Sequence, residues 1–208
     1  MLEQMKPMDI EKRSFAIITE LLGNRRLEAE NELVIKRVIH TTADFDYVDN
    51  LAFSDHAVEK GIAALRAGCD IVTDTQMAKA GINKSILASL GGEVHCFMSD
   101  ADVAAEAKKR GVTRAFVSME RAAALPRPCI FAIGNAPTAL LSLESLMQAG
   151  KLHPALIIGV PVGFVNVVES KERIIAAGAA PYIVARGRKG GSNVAAAICN
   201  AMLYQIRR

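Results

Sequence analysis

From residue 69 onwards, short apolar runs rich in β-branched residues alternate with amphipathic segments of helical period. The predicted strands cover 69–73, 93–97, 114–118, 129–133, 156–160 and 182–185. The predicted helices cover 76–90 with an interruption near Gly81, 100–110, 136–148, 166–177, and 192 to the C-terminus. Continuous apolar strands are typical of a parallel sheet that is buried on both faces. The alternation therefore predicts an α/β fold, a three-layer α/β/α arrangement with a mostly parallel sheet and right-handed crossovers.

The chain ahead of this alternation is predicted to be largely helical. Asp9 can cap a helix over 9–22, which Gly23 would end, and Ser54 can cap a second helix over 54–67. We find no linker, repeat or low-complexity segment, and 208 residues suit one well-packed domain. We therefore expect a single domain that spans residues 1–208.

The segment 33–47, LVIKRVIHTTADFDY, combines two bases, an imidazole, two hydroxyls and two carboxylates with an apolar run. Its β-branched residues favour a strand. Its charges favour a helix, because acidic residues precede it and basic residues lie near its end, the order that the helix dipole prefers. Glu32 and Lys36 would then form an i,i+4 pair, and Arg37 and His40 would share one face. We predict a helix that places a permanent cation beside a group able to exchange protons near neutral pH.

Composition excludes several classes of function. No apolar run reaches the ~18 residues of a membrane span, and the N-terminal segment MLEQMKPMDIEKRS has no secretory h-region, so a cytoplasmic location and no membrane partner are expected. The net charge of +3 is mild, and no basic run is interleaved with aromatic residues, which argues against nucleic acid as a partner. The cysteines are far apart without a CxxC motif and are interpreted as buried free thiols: Cys69, Cys96, Cys129 and Cys199.

In a sheet of this kind, ligands bind outside the carboxyl ends of the strands, beside helix N-termini that attract anions. The last predicted strand is followed by RGRKGGSN (186–193), which holds Arg188, Lys189 and three glycines. It is neither a Walker A loop nor a GxGxxG motif. An anion-binding loop and a tight structural turn are equally compatible with it. The edge as a whole suggests a ligand that carries several carboxylates or phosphates.

His40 is the strongest catalytic candidate, because Arg37, Thr41 and Thr42 surround it in the sequence. Arg37 would disfavour the charged imidazolium and so ease proton donation. His40, Asp44 and Asp46 also fit a metal motif, but aspartates in turns commonly cap helices, so we expect no metal site.

The remaining polar candidates also have plain structural interpretations. Thr75 and Gln76 can serve as a helix cap, as can Asn135 with Pro137 in the first turn. His95 is interpreted as structural, and His56 and His153 as surface residues. Arg114 opens a predicted strand, from which it could face either ligand or solvent.

Four long stretches resemble one family in the same order along the chain. They are RVIHTTADFDY (37–47), NAPTALL (135–141), GVPVGFVNVVESKE (159–172) and RGRKGGSNVAAA (186–197). They are similar to precorrin-8X methylmutase, also called cobalt-precorrin-8 methylmutase. The resemblance implies a flavodoxin-like homodimer that binds a tetrapyrrole at or near the subunit interface. It implies a methyl shift from C-11 to C-12 of the macrocycle, giving hydrogenobyrinate or, with cobalt in the ring, cobyrinate.

The resemblance also assigns roles to individual residues. The family's catalytic histidine corresponds to His40, and its substrate contacts to Ser14 and Arg37, an assignment that we extend to Thr75, Gln76 and Arg114. Because the substrate carries many carboxylates, Arg188, Lys189 and several helix N-termini are expected to receive them. A shift of the sigmatropic type needs no redox cofactor and no external nucleophile, so no cofactor is expected.

Two other functions are also compatible with the sequence. One is a tetrapyrrole-binding protein without turnover, which would keep the basic edge but would not need His40. The other is a nucleotide-binding α/β module that uses the 186–193 loop.

Overall fold

The computed structural model describes residues 7–207. Residues 1–6 of the N-terminal segment and Arg208 lie outside the described residues. The strands in the described part of the chain are β1 Leu51–Phe53, β2 Asp70–Thr73, β3 Val94–His95, β4 Cys129–Ile133, β5 Leu156–Gly159 and β6 Tyr182–Ala185. The helices there are α1 Pro7–Leu22, α2 Glu32–Thr42, α3 Tyr47–Asn50, α4 Ala57–Arg66, α5 Gln76–Gly81, α6 Lys84–Ser89, α7 Ala101–Arg110, α8 Arg114–Ala122, α9 Pro137–Gln148, α10 Val167–Ala177 and α11 Ser192–Ile206.

The six strands form one sheet in the order β1-β6-β5-β4-β2-β3. All neighbours are parallel except β1, which runs antiparallel to β6 at the edge. When the five parallel strands, β2 to β6, are renumbered 1 to 5 along the chain, their order in the sheet is 2-1-3-4-5, which is the order of flavodoxin-like proteins. The α/β class and the mostly parallel sheet are therefore confirmed.

Alternate residues of each strand face opposite layers of helices. In β4, Ile130 and Ala132 pack with the layer of α1, α2, α4 and α11, whereas Phe131 and Ile133 pack with α8, α9 and α10. The β4 side chains that face the two layers are fully buried, and Phe131 is 0% exposed. This arrangement is the three-layer α/β/α sandwich that the continuous apolar strands predict.

The segment 114–118 was predicted as a strand, and this prediction is wrong, because it forms the first half of α8. Thr113 caps the helix by accepting a hydrogen bond from Phe116 N (3.2 Å). Ala115, Met119 and Ala122 are buried, a helical spacing that the five-residue window 114–118 was too short to reveal. Arg114 therefore opens a helix at the carboxyl edge of the sheet.

The edge strand β1 was missed, and the predicted Ser54 cap is also wrong. Ser54 Oγ accepts a hydrogen bond from Tyr182 N (2.9 Å), so it pairs with the sheet edge, and α4 begins three residues later at Ala57.

The other predicted elements are present. Helix 76–90 is split into α5 and α6 after Gly81, as expected, and α11 ends at Ile206. No helix among residues 7–207 is long and apolar enough to cross a membrane.

Candidate active site

The segment Glu32–Thr42 forms a helix, α2, as predicted, and it ends two residues before Asp44. Ala43 adopts a left-handed conformation (φ 53°), and its N–H donates to Ile39 O at 2.7 Å. Val34 and Val38 are fully buried on the inner face of the helix, and Glu32 pairs with Lys36. His40 lies in the last turn on the outer face, where it is exposed. The helix thus supports the histidine from its buried side and presents the imidazole to solvent.

Phe15 of α1 contacts this imidazole. The two rings stack with centroids 5.5 Å apart and an interplanar angle of 28°. His40 also lines a cavity of about 280 Å³ together with Ser14, Ile17 and Phe45. Ser14 Oγ donates to Ile10 O (2.9 Å) within α1, which leaves its oxygen able to accept a further bond. No described residue hydrogen-bonds to the ring nitrogens of His40, so they are available to a ligand in this cavity.

Arg37 lies one turn before His40 but has a different environment. Its guanidinium pairs with Glu11 at 2.5 Å and lies 4.8 Å from the ring centroid of Phe15 and 5.1 Å from that of Tyr204. It lines a second cavity of about 540 Å³ between α1, α2 and α11. Arg37 and His40 therefore contact the same aromatic ring, and the positive charge of Arg37 is partly neutralised by Glu11.

The 186–191 loop is tied to the end of α2 by Lys189. Its Nζ lies 2.6 Å from Asp44 Oδ2 and 2.6 Å from Asp46 Oδ2. The hydrogen bond from Lys189 lowers the pKa of Asp44 below its usual value. One ammonium group thus bridges the two carboxylates. Among the described residues, no group of three or more His, Cys, Asp or Glu side chains is placed to hold a metal ion.

Lys171 of α10 binds the backbone of the same loop. This side chain is fully buried, and its Nζ donates to Gly187 O and Lys189 O, both at 2.9 Å. Burial lowers the pKa of Lys171 to about 8. A Cβ on Gly190 would lie 2.1 Å from Val160 O, so only glycine allows the loop to pack this closely on the end of β5. Of the two interpretations of RGRKGGSN, these contacts support a packed structural turn. Arg188 is exposed at its tip, 6.0 Å from the ring centroid of Phe164.

A second group of predicted site residues surrounds the ends of β2 and β3. Thr75 caps α5 by accepting from Ala78 N (3.0 Å), and its hydroxyl lies 2.7 Å from Ser192 Oγ. Gln76 Nε2 donates to Ser99 Oγ (3.3 Å), and Arg114 Nη1 donates to Met98 O (3.4 Å). Gln76 and Arg114 are both exposed and approach the same short segment after β3.

Asp74 lies at the point where the strand order reverses, between β2 and β4, and nothing in its local sequence indicates a role. It is fully buried and accepts hydrogen bonds from Gly134 N, Asn135 N and Ala136 N at 2.9, 2.8 and 2.6 Å. Burial raises the pKa of this carboxyl group, and the three N–H donors oppose the rise. Asp74 therefore fixes the loop that leads from β4 into α9. Pro137 begins the helix as predicted, and Ala136, not Asn135, is the cap residue.

The histidines and cysteines outside this edge have structural surroundings. His95 Nε2 lies 3.2 Å from Asp70 Oδ2, whereas His56 and His153 are exposed. All four cysteines are buried and free, and burial raises the pKa of Cys69 and of Cys129 to about 12. The thiols of Cys69 and Cys129 are therefore unreactive at neutral pH.

The predicted site residues thus form two groups joined by one loop. Ser14, Arg37 and His40 lie around α1 and α2, and Thr75, Gln76 and Arg114 lie around β2 and β3. On one side, Lys189 of the loop binds Asp44, which follows α2. On the other side, Ser192, the first residue of α11 after the loop, contacts Thr75. Phe15, Asp74 and Lys171 were missed, because nothing in their local sequence distinguishes them from ordinary helix and strand-end residues.

Comparisons with known proteins identify the family of the chain. The precorrin-8X methylmutase family model matches residues 9–205. The cobalt-precorrin-8 methylmutase of Salmonella typhimurium is 46% identical, with 97% of each chain covered. The precorrin-8X methylmutase of Pseudomonas aeruginosa is 42% identical, with 93% of each chain covered. The crystal structure of precorrin-8X methylmutase from Thermus thermophilus superimposes with a TM-score of 0.87 at 38% identity and covers 95% of each chain. The chain therefore belongs to the precorrin-8X methylmutase family, isomerases of cobalamin biosynthesis that move a methyl group within one molecule.

Proposed function

We propose that this enzyme moves a methyl group from C-11 to C-12 of precorrin-8X or cobalt-precorrin-8, giving hydrogenobyrinate or cobyrinate. His40 acts as the proton donor and acceptor. It protonates, or hydrogen-bonds to, a ring nitrogen of the macrocycle, so that the conjugated system accepts the migrating methyl group. It then takes a proton back, and no external nucleophile or redox cofactor takes part.

The observation that carries this proposal is the environment of His40. The imidazole is exposed on a cavity wall, is oriented by stacking on Phe15, and has no hydrogen-bond partner among the described residues. A structural histidine such as His95 is instead engaged by a carboxylate. An oriented imidazole with free nitrogens suits general acid–base catalysis near neutral pH.

The substrate's carboxylates are proposed to contact Ser14, Arg37, Thr75, Gln76, Arg114, Arg188 and Lys189. Arg188 and Arg114 are exposed cations at the carboxyl edge of the sheet. Arg37 and Lys189 already have acidic partners, but each retains further N–H donors. These groups lie on both sides of the 186–191 loop, an arrangement that suits a broad, disc-shaped macrocycle with carboxylates around its rim.

We further propose that the active form is a homodimer in which the substrate lies at or near the subunit interface. Ile17, Leu21 and Leu33 expose apolar side chains around the two cavities that Arg37 and His40 line. A second copy that covers this surface would bury both its apolar residues and the substrate.

The test is an absorbance titration and turnover assay with precorrin-8X, run for the wild type, His40→Ala and the surface control His153→Ala. We expect all three proteins to bind, and the His40→Ala rate to fall by about 10² to 10⁴. Turnover of His40→Ala at the wild-type rate would contradict the role of His40. Binding without turnover by the wild type would instead indicate a tetrapyrrole-binding protein. A parallel assay with cobalt-precorrin-8 identifies the preferred substrate.

A further inference from the structure

Among the described residues, Lys171 is the one lysine that is 0% exposed. The proposed chemistry gives it no role. Long charged side chains rarely become fully buried, because the ammonium loses its hydration. Among the described residues, no carboxylate lies within ion-pair distance of Nζ. Burying the ammonium group of Lys171 therefore costs stability, which indicates that the group has a specific role.

That use is visible in the two groups to which Lys171 donates. Gly187 O and Lys189 O both accept from Nζ at 2.9 Å, and the exposed Arg188 lies between them in the sequence. On the other side of the loop, the Lys189 side chain binds Asp44 and Asp46, four and six residues after His40. The loop is therefore fixed on one side by a buried ammonium and on the other by the turn that ends α2.

We propose that Lys171 is a positioning residue for the methyl-transfer site: its ammonium fixes the 186–191 loop and thereby sets the direction of Arg188. The inference rests on the proposed function for its catalytic consequence. The anchoring of the loop is independent of that function and can be measured without substrate.

Hydrogen exchange provides the measurement without substrate. Two amides report on the loop: Gly191 N donates to Val160 O at 2.8 Å, and Gly163 N donates to Arg188 O at 3.2 Å. In Lys171→Met, which keeps the length of the side chain but has no donor, both amides should exchange at least tenfold faster than in the wild type. The exposed Lys151→Met should exchange like the wild type. Unchanged exchange in Lys171→Met would overturn the proposal.

Steady-state kinetics with precorrin-8X, at a temperature well below the unfolding midpoint, provides the second measurement. A misplaced Arg188 weakens substrate binding, so KM should rise about tenfold in Lys171→Met while kcat changes less than threefold. A purely structural role would lower the active fraction and hence the apparent kcat, with KM unchanged, and that pattern would overturn the proposal. An inactive wild type with fast loop exchange in the variant would contradict the proposed function but not the anchoring.

If Lys171→Met does not fold, the wild type still tests the inference. In protein labelled with ¹⁵N-lysine, one ammonium group should show slow proton exchange below pH 7, because two carbonyls hold it in a buried site. Lys171→Gln, which keeps two N–H donors on a shorter side chain, should remove that signal and identify it as Lys171. The absence of any slowly exchanging ammonium in the wild type would overturn the inference.

Discussion

Phe15 stacks on His40 with ring centroids 5.5 Å apart, although the two residues lie on different helices and 25 positions apart in the chain. No described residue hydrogen-bonds to the imidazole nitrogens, so this stacking contact sets the plane of the ring. The same aromatic ring lies under the guanidinium of Arg37 at 4.8 Å. One phenyl group of α1 therefore orients both the proposed proton-transfer residue and its neighbouring cation.

Replacing Phe15 with Leu should lower kcat roughly 10- to 100-fold, because a displacement of the imidazole by about 1 Å is enough to reduce catalysis on that scale. Steady-state turnover of precorrin-8X measures the effect. Phe53→Leu, which changes a half-buried phenylalanine of β1, serves as the control and should keep the wild-type kcat. An unchanged kcat in Phe15→Leu would mean that stacking does not orient the catalytic ring.

Replacing Lys189 with Met should raise the pKa of Asp44 towards its ordinary value of 3.8, because the hydrogen bond from Lys189 is the main cause of its lowered pKa. A carboxyl group whose pKa is lowered by folding stabilises the protein above its unfolded pKa, and this contribution is lost as the pH falls through the folded pKa. The variant should therefore lose less stability on acidification than the wild type. A ¹³C NMR titration of the Asp44 carboxyl group checks the shift, and an unchanged midpoint would contradict the ion pair in solution.

The predictions from sequence were best where a local period determines the structure. α2 was recovered from its charge order although its β-branched residues favour a strand, and five of the six predicted strand segments contain strands. The segment 114–118 was misassigned because five residues cannot separate an apolar strand from one and a half turns of helix. The three-residue strand β1 was missed because its pairing with β6 is determined by tertiary contacts.

The site was predictable in its residues but not in its connections. The pair of Lys189 with Asp44 joins positions 145 residues apart, and neither residue has a local signal that identifies its partner. The same is true of Asp74, whose role depends on the N–H groups of a loop 60 to 62 residues later. Contacts of this kind depend on the order of the strands in the sheet. The sequence pattern predicts the fold class, but it does not predict that order.

Replacing Asp74 with Asn should lower the free energy of unfolding by about 2–4 kcal/mol, because hydrogen bonds to a charged acceptor contribute about 1.5–3 kcal/mol each and the amide keeps only one good acceptor. Its NH₂ group would also face either the N–H of Gly134, which binds Oδ1 in the wild type, or the N–H groups of Asn135 and Ala136, which bind Oδ2. Urea unfolding measures the loss. Asp55→Asn, at an exposed position, should change the value by less than about 0.5 kcal/mol. Equal losses in the two variants would contradict the role of Asp74 at the switch point.

The lowered pKa of Lys171 predicts a pH dependence of stability. Because the pKa falls from its ordinary value of 10.5 to about 8 in the folded protein, the unfolded chain binds more protons between these two pH values. The contribution of Lys171 to the free energy of unfolding therefore increases as the pH rises from 8 to 10.5, by up to about 3 kcal/mol over the whole window.

Urea unfolding of the wild type and of Lys171→Met at pH 7.5 and at pH 10 isolates this contribution. The thiols of Cys69 and Cys129, whose pKa is raised to about 12, act in the opposite direction, but they do so in both proteins and cancel in the difference. The wild-type value minus the variant value should increase by about 2 kcal/mol between the two pH values. A constant difference would mean that Lys171 keeps its ordinary pKa, and hence that water reaches its ammonium group and the loop is not held by a desolvated cation.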